Sequence, residues 1–324
     1  MTDPLPDLCV VVPCYNEEES IPVLVEKLTP VLEAETDGSW SILFVDDGSR
    51  DATARLIWEL HAKDARYRGV RLSRNFGHQP AVWTGIRHAR GRCVAVIDCD
   101  LQDPPEVLVQ LYKKVSQEGY DVCSGVRGKR EDAPWWLCLA YKVFYRLMNL
   151  LAEHDYTMDS GDFCVFNQRV HAALCTLDEC AAVHRGLRSW VGFKQMTVTY
   201  QRPPRARGQS KYNLVRLLWL AVNNMVNFST APLRLATVVG LGMGVLTLIA
   251  AAVFTLNRFL PSFRPFGYDI NAHPGTATMV LYLSFIASAL FFCLGILGEY
   301  LAVVIREVKR RPVTVIAEMT DESA

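Results

Sequence analysis

The sequence predicts an α/β domain with a largely parallel sheet and helices on both faces, followed by an amphipathic helix and two membrane-spanning helices. Three observations predict it. Short apolar runs alternate with helical patterns over the first 130 residues, which is βαβ repetition. Residues 235–256 and 276–298 carry no charged side chain, and each run has the roughly 20 apolar residues that span a bilayer as a helix. Half of the 324 residues are hydrophobic, and the excess is concentrated in those two runs.

Strands are expected at 8–13, 41–46, 69–73, 93–98 and 121–125. Each is a short apolar run bounded by turn residues, the pattern of strands buried on both faces. Helical patterns lie between them at about 17–36, 51–63, 79–89 and 105–118, the last opened by Pro104 and Pro105, which suit a first turn. Ligands of such sheets sit beyond the carboxyl ends of the strands. The conspicuous polar residues fall there. Pro13-Cys14-Tyr15-Asn16-Glu17 follows the first strand, and Asp46-Asp47-Gly48-Ser49 the second. Arg74-Asn75-Phe76-Gly77-His78-Gln79 follows the third, and Asp98-Cys99-Asp100-Leu101-Gln102-Asp103 the fourth. No GxGxxG follows the first strand and no GxxxxGK[ST] occurs, which speaks against a dinucleotide oxidoreductase or a P-loop enzyme.

The fourth strand is expected to run into Asp98 and Asp100, and strand alternation points their side chains the same way, with Gln102 continuing the spacing. Two carboxylates and an amide oxygen form a hard-oxygen site for Mg²⁺ or Mn²⁺. The competing reading is an acidic turn that caps the next helix at Asp103. His78 reads either as a group reaching a bound nucleotide or as a helix cap, and the second is the plainer reading.

Basic residues set the expected orientation. The loop expected between the apolar runs, 257–275, holds Arg258 and Arg264. Arg306, Lys309, Arg310 and Arg311 follow the second run, and residues 202–216 hold five Lys/Arg and no acid. Both ends are therefore expected on the cytoplasmic side, with the loop outside. Residues 211–228 place Leu214, Leu217, Leu218, Ala221, Met225 and Phe228 on one helical face, as in a helix lying in the membrane interface. An amphipathic helix packed on the sheet would look the same. The ten cysteines show no paired spacing and read as reduced core thiols. Net charge is zero. The expected divisions are a cytoplasmic domain at 1–210, the amphipathic helix at 211–231, the two-helix segment at 232–306 and a cytoplasmic tail at 307–324.

Pro13-x-Tyr15-Asn16-Glu17, Val45-Asp46-Asp47-Gly48-Ser49-x-Asp51-x-Thr53 and Asp98-x-Asp100-x-Gln102, in this order, resemble the inverting nucleotide-sugar glycosyltransferases with a GT-A fold. Ser73-Arg74-Asn75-Phe76-Gly77, Asp103-Pro104-Pro105-Glu106 and Gly161-Asp162-Phe163 narrow the match. So do Trp190-Val191-Gly192-Phe193-Lys194 and Gly208-x-Ser210-Lys211-Tyr212. Together they look like the bacterial polyprenyl-phosphate glycosyltransferases, relatives of dolichol-phosphate mannose synthase. The resemblance covers about 1–235 by motif and the remainder by its two-span architecture.

The resemblance implies transfer of one sugar, with inversion, from a nucleotide sugar to polyprenyl phosphate at the cytoplasmic face of a bacterial inner membrane. UDP-glucose is the first choice of donor, ahead of UDP-N-acetylglucosamine, UDP-galactose and a formylated aminoarabinose donor. It assigns Pro13, Tyr15, Glu17, Asp46, Asp47, Gln79 and Asp98 to the nucleotide, and Asp98, Asp100 and Gln102 to Mg²⁺ or Mn²⁺. Asp100 also counts as catalytic through the metal. Asp162 or Asp159 matches the family's catalytic Asp by position. The acceptor is a phosphate monoester with a second pKa of about 6, so it is largely ionised already, and a base role and a positioning role both stay open. For the acceptor phosphate the arginine-rich segments supply Arg127, Arg130, Arg205, Arg207, Ser210 and Lys211. Related enzymes form tetramers, so a homotetramer in the lipid bilayer is expected, with no nucleic-acid partner.

Two departures from the family pattern matter. Arg188-Ser189-Trp190 only echoes the QxxRW of processive synthases, which argues against polymerisation. Cys164 follows Gly-Asp-Phe where the family often has Arg. A transferase with another lipid acceptor shares this frame. So does a silent membrane protein that binds nucleotide sugar or moves lipid-linked sugar, though an intact DxDxQ speaks against silence.

Overall fold

A computed structural model of the chain describes residues 5–36, 39–127, 160–177, 184–201, 231–260, 275–309 and 311–320. The chain divides into two compact units. Among the described residues one unit holds the sheet with its helices, including residues 311–320, and the other holds two long helices.

The first unit runs β1 (Leu8–Cys14), α1 (Ser20–Thr36), β2 (Trp40–Asp46), α2 (Thr53–Lys63), β3 (Tyr67–Leu72), α3 (His78–His88), β4 (Cys93–Val96) and α4 (Pro105–Ser116). It continues with β5 (Val122–Arg127), β6 (Ser160–Asn167), α5 (Gln168–Cys175), α6 (His184–Trp190) and β7 (Gln195–Tyr200). The second unit is α7 (Ala231–Phe259) and α8 (Thr276–Val308), after which β8 (Ile316–Met319) returns to the first unit.

The sheet has eight strands in the order β7-β5-β6-β4-β1-β2-β3-β8. Strands β4, β1, β2 and β3 are parallel, as the βαβ pattern requires. The sheet is nevertheless mixed. Strand β6 enters antiparallel between β4 and β5, and β8 pairs antiparallel with the outer edge of β3. Strand β7 pairs parallel with β5, so the expected parallel direction holds for every strand except β6 and β8.

Every residue of β1 and β2 is buried, because helices cover both faces. Alternation splits β1 between two cores. Leu8, Val10 and Val12 pack with Leu24, Leu28, Leu108 and Leu111 of α1 and α4. Cys9 and Val11 pack with Ala81, Val82 and Ile86 of α3 and Val170 and Leu174 of α5. Gly85 lets α3 approach closely, since a Cβ there would lie 2.2 Å from Val11 Cγ1.

In the second unit, Phe285–Ile305 is long and apolar enough to cross a membrane, and none of its most apolar window is buried. Helix α7 carries a shorter apolar stretch, Ala236–Ile249. Cys293 Sγ of α8 reaches the Ala236 carbonyl of α7 at 3.4 Å. The amphipathic helix expected at 211–231 and the connecting loop lie outside the described residues, apart from Ala231.

Candidate active site

Four strand exits meet at one end of the sheet. The loop after β1 is joined to the loop after β2 by side chains that accept backbone N–H groups. Ser49 accepts from Asn16 at 2.9 Å, Thr53 from Glu17 at 2.8 Å, and Asn16 from Arg50 at 2.9 Å. Asp51 and Glu18 exchange similar bonds across the same seam with Glu18 and Ala52. Asn16 takes a left-handed backbone (φ 55°), which Asn tolerates better than most residues. Gly48 is also left-handed (φ 66°), and a Cβ on it would lie 2.5 Å from the Arg74 carbonyl carbon. Only glycine lets the loop after β3 close over the loop after β2.

Asp47 makes that closure. One of its oxygens accepts the Phe76 N–H at 2.7 Å and the other the Gly77 N–H at 2.9 Å. Burial pushes its carboxyl above the usual range against the pull of those two donors. Expected at the nucleotide, Asp47 instead spends both oxygens on the loop that starts α3. Its neighbour Asp46 is completely buried. Asp46 Oδ1 accepts the Ser49 N–H at 3.0 Å. Asp46 Oδ2 lies 3.5 Å from Arg71 Nε but receives no hydrogen bond. A buried acceptor left in that state costs about 1–3 kcal/mol, so it marks a place for an incoming N–H or O–H donor.

Pro13 is buried in β1 opposite Val45. Tyr15 beyond it is 42% exposed, an aromatic face open to a ligand. Glu17 is half-buried and accepts the Ser20 hydroxyl. Burial raises its carboxyl, and the Asp100 and Asp51 charges raise it further. Glu17 therefore feels the acidic motif after β4, which brings the first and fourth exits together.

The acidic motif is not an extension of the strand. Strand β4 ends at Val96, and residues 98–103 form turns, with Leu101 left-handed at φ 57°. Strand alternation therefore does not set the directions of Asp98 and Asp100. Asp100 is exposed and its carboxylate accepts the Gln102 N–H at 3.1 Å, an Asx turn. Gln102 is 5% exposed, whereas Asp98 is half-buried and Asp100 exposed. Asp103 does not cap α4, whose cap residue is Pro104. It is buried and accepts the Tyr200 hydroxyl from β7. Asp98 is pushed up to about 6, first by burial and then by the Asp103, Asp100 and Asp162 charges, with His78 opposing them. Among the described residues, no three His, Cys, Asp or Glu side chains form a group able to hold a metal ion. The fit to a divalent cation rests on Asp98 and Asp100 alone: a cation beside them would relieve the carboxylate crowding that raises Asp98.

Asp162 lies within the sheet, on β6 between β4 and β5. Its neighbours Phe163 and Val165 face the core under α4, so Asp162 faces the α3 side. There Gln79 Nε2 donates to Asp162 Oδ2 at 2.5 Å. His78 Nε2 lies 3.2 Å from the same oxygen and 3.7 Å from Asp98 Oδ1. Burial pulls the His78 imidazole down, yet the Asp162 hydrogen bond and the Asp98, Asp162 and Asp100 charges outweigh it and hold it above its ordinary value. His78 does not cap α3, whose cap is Gly77. The plainer reading of His78 was wrong, and Gln79 is drawn to Asp162. A signal existed in the sequence: a His-Gln pair opens a helix at the same sheet end as every acidic motif.

Arg188 is 1% exposed, and its Nη2 donates to the Gly161 carbonyl at 3.3 Å. The buried Cys164 thiol is raised by burial, against the lowering pull of Arg188. Trp190, two residues on, is 54% exposed. Arg127 ends β5. Asp159, Arg130, Arg205, Arg207, Ser210 and Lys211 lie outside the described residues.

Residues 9–175 match the family described as Glycosyl transferase family 2. The chain is 35% identical over 307 residues to the uncharacterized glycosyltransferase YkcC of Bacillus subtilis, covering 95% of this chain and 92% of that protein. It is 33% identical over 313 residues to the SfII prophage-derived bactoprenol glucosyl transferase of Shigella flexneri, covering 94% and 96%. The prophage bactoprenol glucosyl transferase homolog of Escherichia coli K12 matches at the same identity and coverage. Among solved structures, mannosyl-3-phosphoglycerate synthase from Rubrobacter xylanophilus is 17% identical, covering 68% of this chain and 74% of that one with a TM-score of 0.46. The chain belongs to glycosyl transferase family 2, and its sheet unit is the GT-A domain of a glycosyltransferase.

Proposed function

We propose that the protein moves one glucose from UDP-glucose to polyprenyl phosphate at the cytoplasmic face of the membrane, with inversion. The observation that carries this reading is the span of the likeness. The match to the bactoprenol glucosyl transferases runs through the C-terminal helices as well as the sheet. A soluble family member would share the sheet alone.

The nucleophile is a phosphate oxygen of the acceptor, already largely ionised near neutral pH because the second pKa is about 6. It attacks the anomeric carbon from the face opposite the leaving group. The bond to the diphosphate oxygen breaks, and the nucleoside diphosphate leaves with the electron pair. Asp98 and Asp100 would hold Mg²⁺ or Mn²⁺, which when bound neutralises the charge growing on that diphosphate. The buried Asp46 Oδ2 offers an acceptor to the nucleotide, and Tyr15 a surface for stacking. Asp162 shares His78 Nε2 with Asp98, and from there it would orient or deprotonate the acceptor.

Two membrane crossings, with both ends on the catalytic side, are supported by strand β8. The tail beyond α8 pairs with β3 of the sheet that precedes α7. A chain that leaves and rejoins one folded unit must cross the bilayer an even number of times. Helix α8 crossing alone would strand its tail on the far side, so α7 crosses with it. The basic residues at 202–216 then lie at headgroup depth, placed for Arg205, Arg207, Ser210 and Lys211 to meet a lipid phosphate. A homotetramer is the assembly we assign.

The test is transfer from a panel of radiolabelled nucleotide sugars to polyprenyl phosphate, by purified enzyme with Mn²⁺ or Mg²⁺. An acid-labile labelled lipid made from UDP-glucose is the expected product. An acid-stable glycolipid would mean a different acceptor. Absence of any transfer would mean a silent binding or translocating protein.

A further inference from the structure

We propose that His78 is a positioning residue for sugar transfer, a strut at the start of α3 that holds the Asp162 carboxylate relative to Asp98. The inference rests on the transfer reading above for its assay but not for its geometry.

One imidazole nitrogen does the work. His78 Nε2 lies 3.2 Å from Asp162 Oδ2 and 3.7 Å from Asp98 Oδ1. Both neighbours are carboxylates, which accept and do not donate when ionised. Nε2 therefore carries its hydrogen whether the ring is neutral or charged, and the shorter distance assigns that hydrogen to Asp162. Gln79 donates to the same oxygen, so two successive residues of the first turn of α3 fix one carboxylate. Asp98 belongs to the donor side of the reaction and Asp162 to the acceptor side. His78 touches both.

The strut has its own support. Asp47 binds the Phe76 and Gly77 N–H groups and fixes the backbone immediately before His78. Helix α3 is pressed onto β1 at Gly85, which denies it room to slide. The strand carrying Asp162 is bonded on both sides, to β4 and to β5. Rigid elements thus approach from two directions, and the His78–Asp162 contact sets the gap between them. Reacting groups misplaced by about 1 Å lose on the order of a hundredfold in rate.

The test is a double-mutant cycle with kinetic constants for both substrates. His78→Ala should lower kcat about tenfold and leave the KM for the nucleotide sugar within about twofold, because the donor still binds. His78→Gln, which keeps an N–H near the position of Nε2, should recover most of the loss. In an Asp162→Asn background, His78→Ala should cost less than about twofold, since its effect passes through Asp162. Independent, multiplying losses from the two substitutions would overturn the proposal. So would wild-type kcat in His78→Ala, or a defect confined to the KM of the nucleotide sugar. The same cycle run on slow donor hydrolysis separates this inference from the acceptor assignment. Hydrolysis without lipid transfer by the wild-type enzyme would refute the acceptor while the coupling between His78 and Asp162 is still read.

Discussion

Asp98 and Asp162 differ in what surrounds them, and that difference sorts their roles. Asp98 is raised from 3.8 to about 6 by burial and three neighbouring carboxylates. The folded, metal-free domain therefore keeps a proton on Asp98 that the unfolded chain releases between about pH 4 and pH 6. This group's contribution to stability falls as pH rises through that window. A divalent cation should reverse it, and protons should compete with the cation below about pH 6. Mn²⁺ should raise the melting temperature clearly at about pH 7.5 and much less at about pH 5.5, and Asp98→Asn should weaken the response at the higher pH. Equal shifts at both pH values would remove Asp98 from the cation site. Asp100→Ala should cost on the order of a hundredfold or more in kcat, as losses at a developing charge do. Asp162→Asn should cost nearer tenfold, because an acceptor phosphate needs little deprotonation. Rates measured over about pH 5.5–8 check this: equal losses, or rescue of Asp162→Asn at high pH, would make Asp162 a true base. Side-chain types and their strand-exit positions were legible in the sequence. Partners were not: Asp47 binding the α3 loop and Asp103 binding Tyr200 depend on chain segments 29 and 97 residues away.

Strands β1 to β4 could be read because each is a continuous apolar run closed by turn residues and paired with near neighbours. Strand β6 could not. Ser160-Gly161-Asp162 reads as a turn, and its partners β4 and β5 are set by antiparallel pairing that sequence periodicity does not encode. Strand β8 is four residues long with an exposed centre, Ala317 and Glu318, so it carries almost no pattern. It still does structural work. Ser73 N–H donates to the Val315 carbonyl at 2.9 Å, Gly69 N–H to Thr320 Oγ1 at 3.0 Å, and Thr320 N–H to the Gly69 carbonyl at 3.0 Å. Thr314 meets Thr84 of α3 at 2.7 Å, and Ile316 and Met319 pack on the core under that helix. Removing residues 312–324 should bare the β3 edge and cost on the order of 2 kcal/mol or more from those bonds and contacts. Thermal unfolding in detergent should shift down by several degrees, and the exposed edge should promote aggregation. An unchanged melting curve would mean that β8 is dispensable.

Across the whole chain, the tail strand turns a statement about hydrogen bonds into one about membrane topology. Hydropathy marks Phe285–Ile305 in α8 and Ala236–Ile249 in α7, and the uncharged run around the latter extends over 235–256. The two crossings proposed above agree with the pairing of β8 with β3, which keeps the strand after α8 in the same compartment as the unit folded before α7. The basic residues agree with that proposal: Arg306, Lys309, Arg310 and Arg311 cluster at the end of α8 and just beyond it, and Arg264 is the one Lys or Arg in residues 260–275. A 29-residue helix is long enough to cross, at about 1.5 Å per residue, with polar ends extending beyond the hydrocarbon. Alkaline phosphatase fused after residue 262 should be active, because the enzyme matures only outside the cytoplasm. Fused after residue 324 it should be inactive, and a fluorescent protein there should glow. Active phosphatase at residue 324 would mean an odd number of crossings, and β8 could not then belong to the sheet of its own chain.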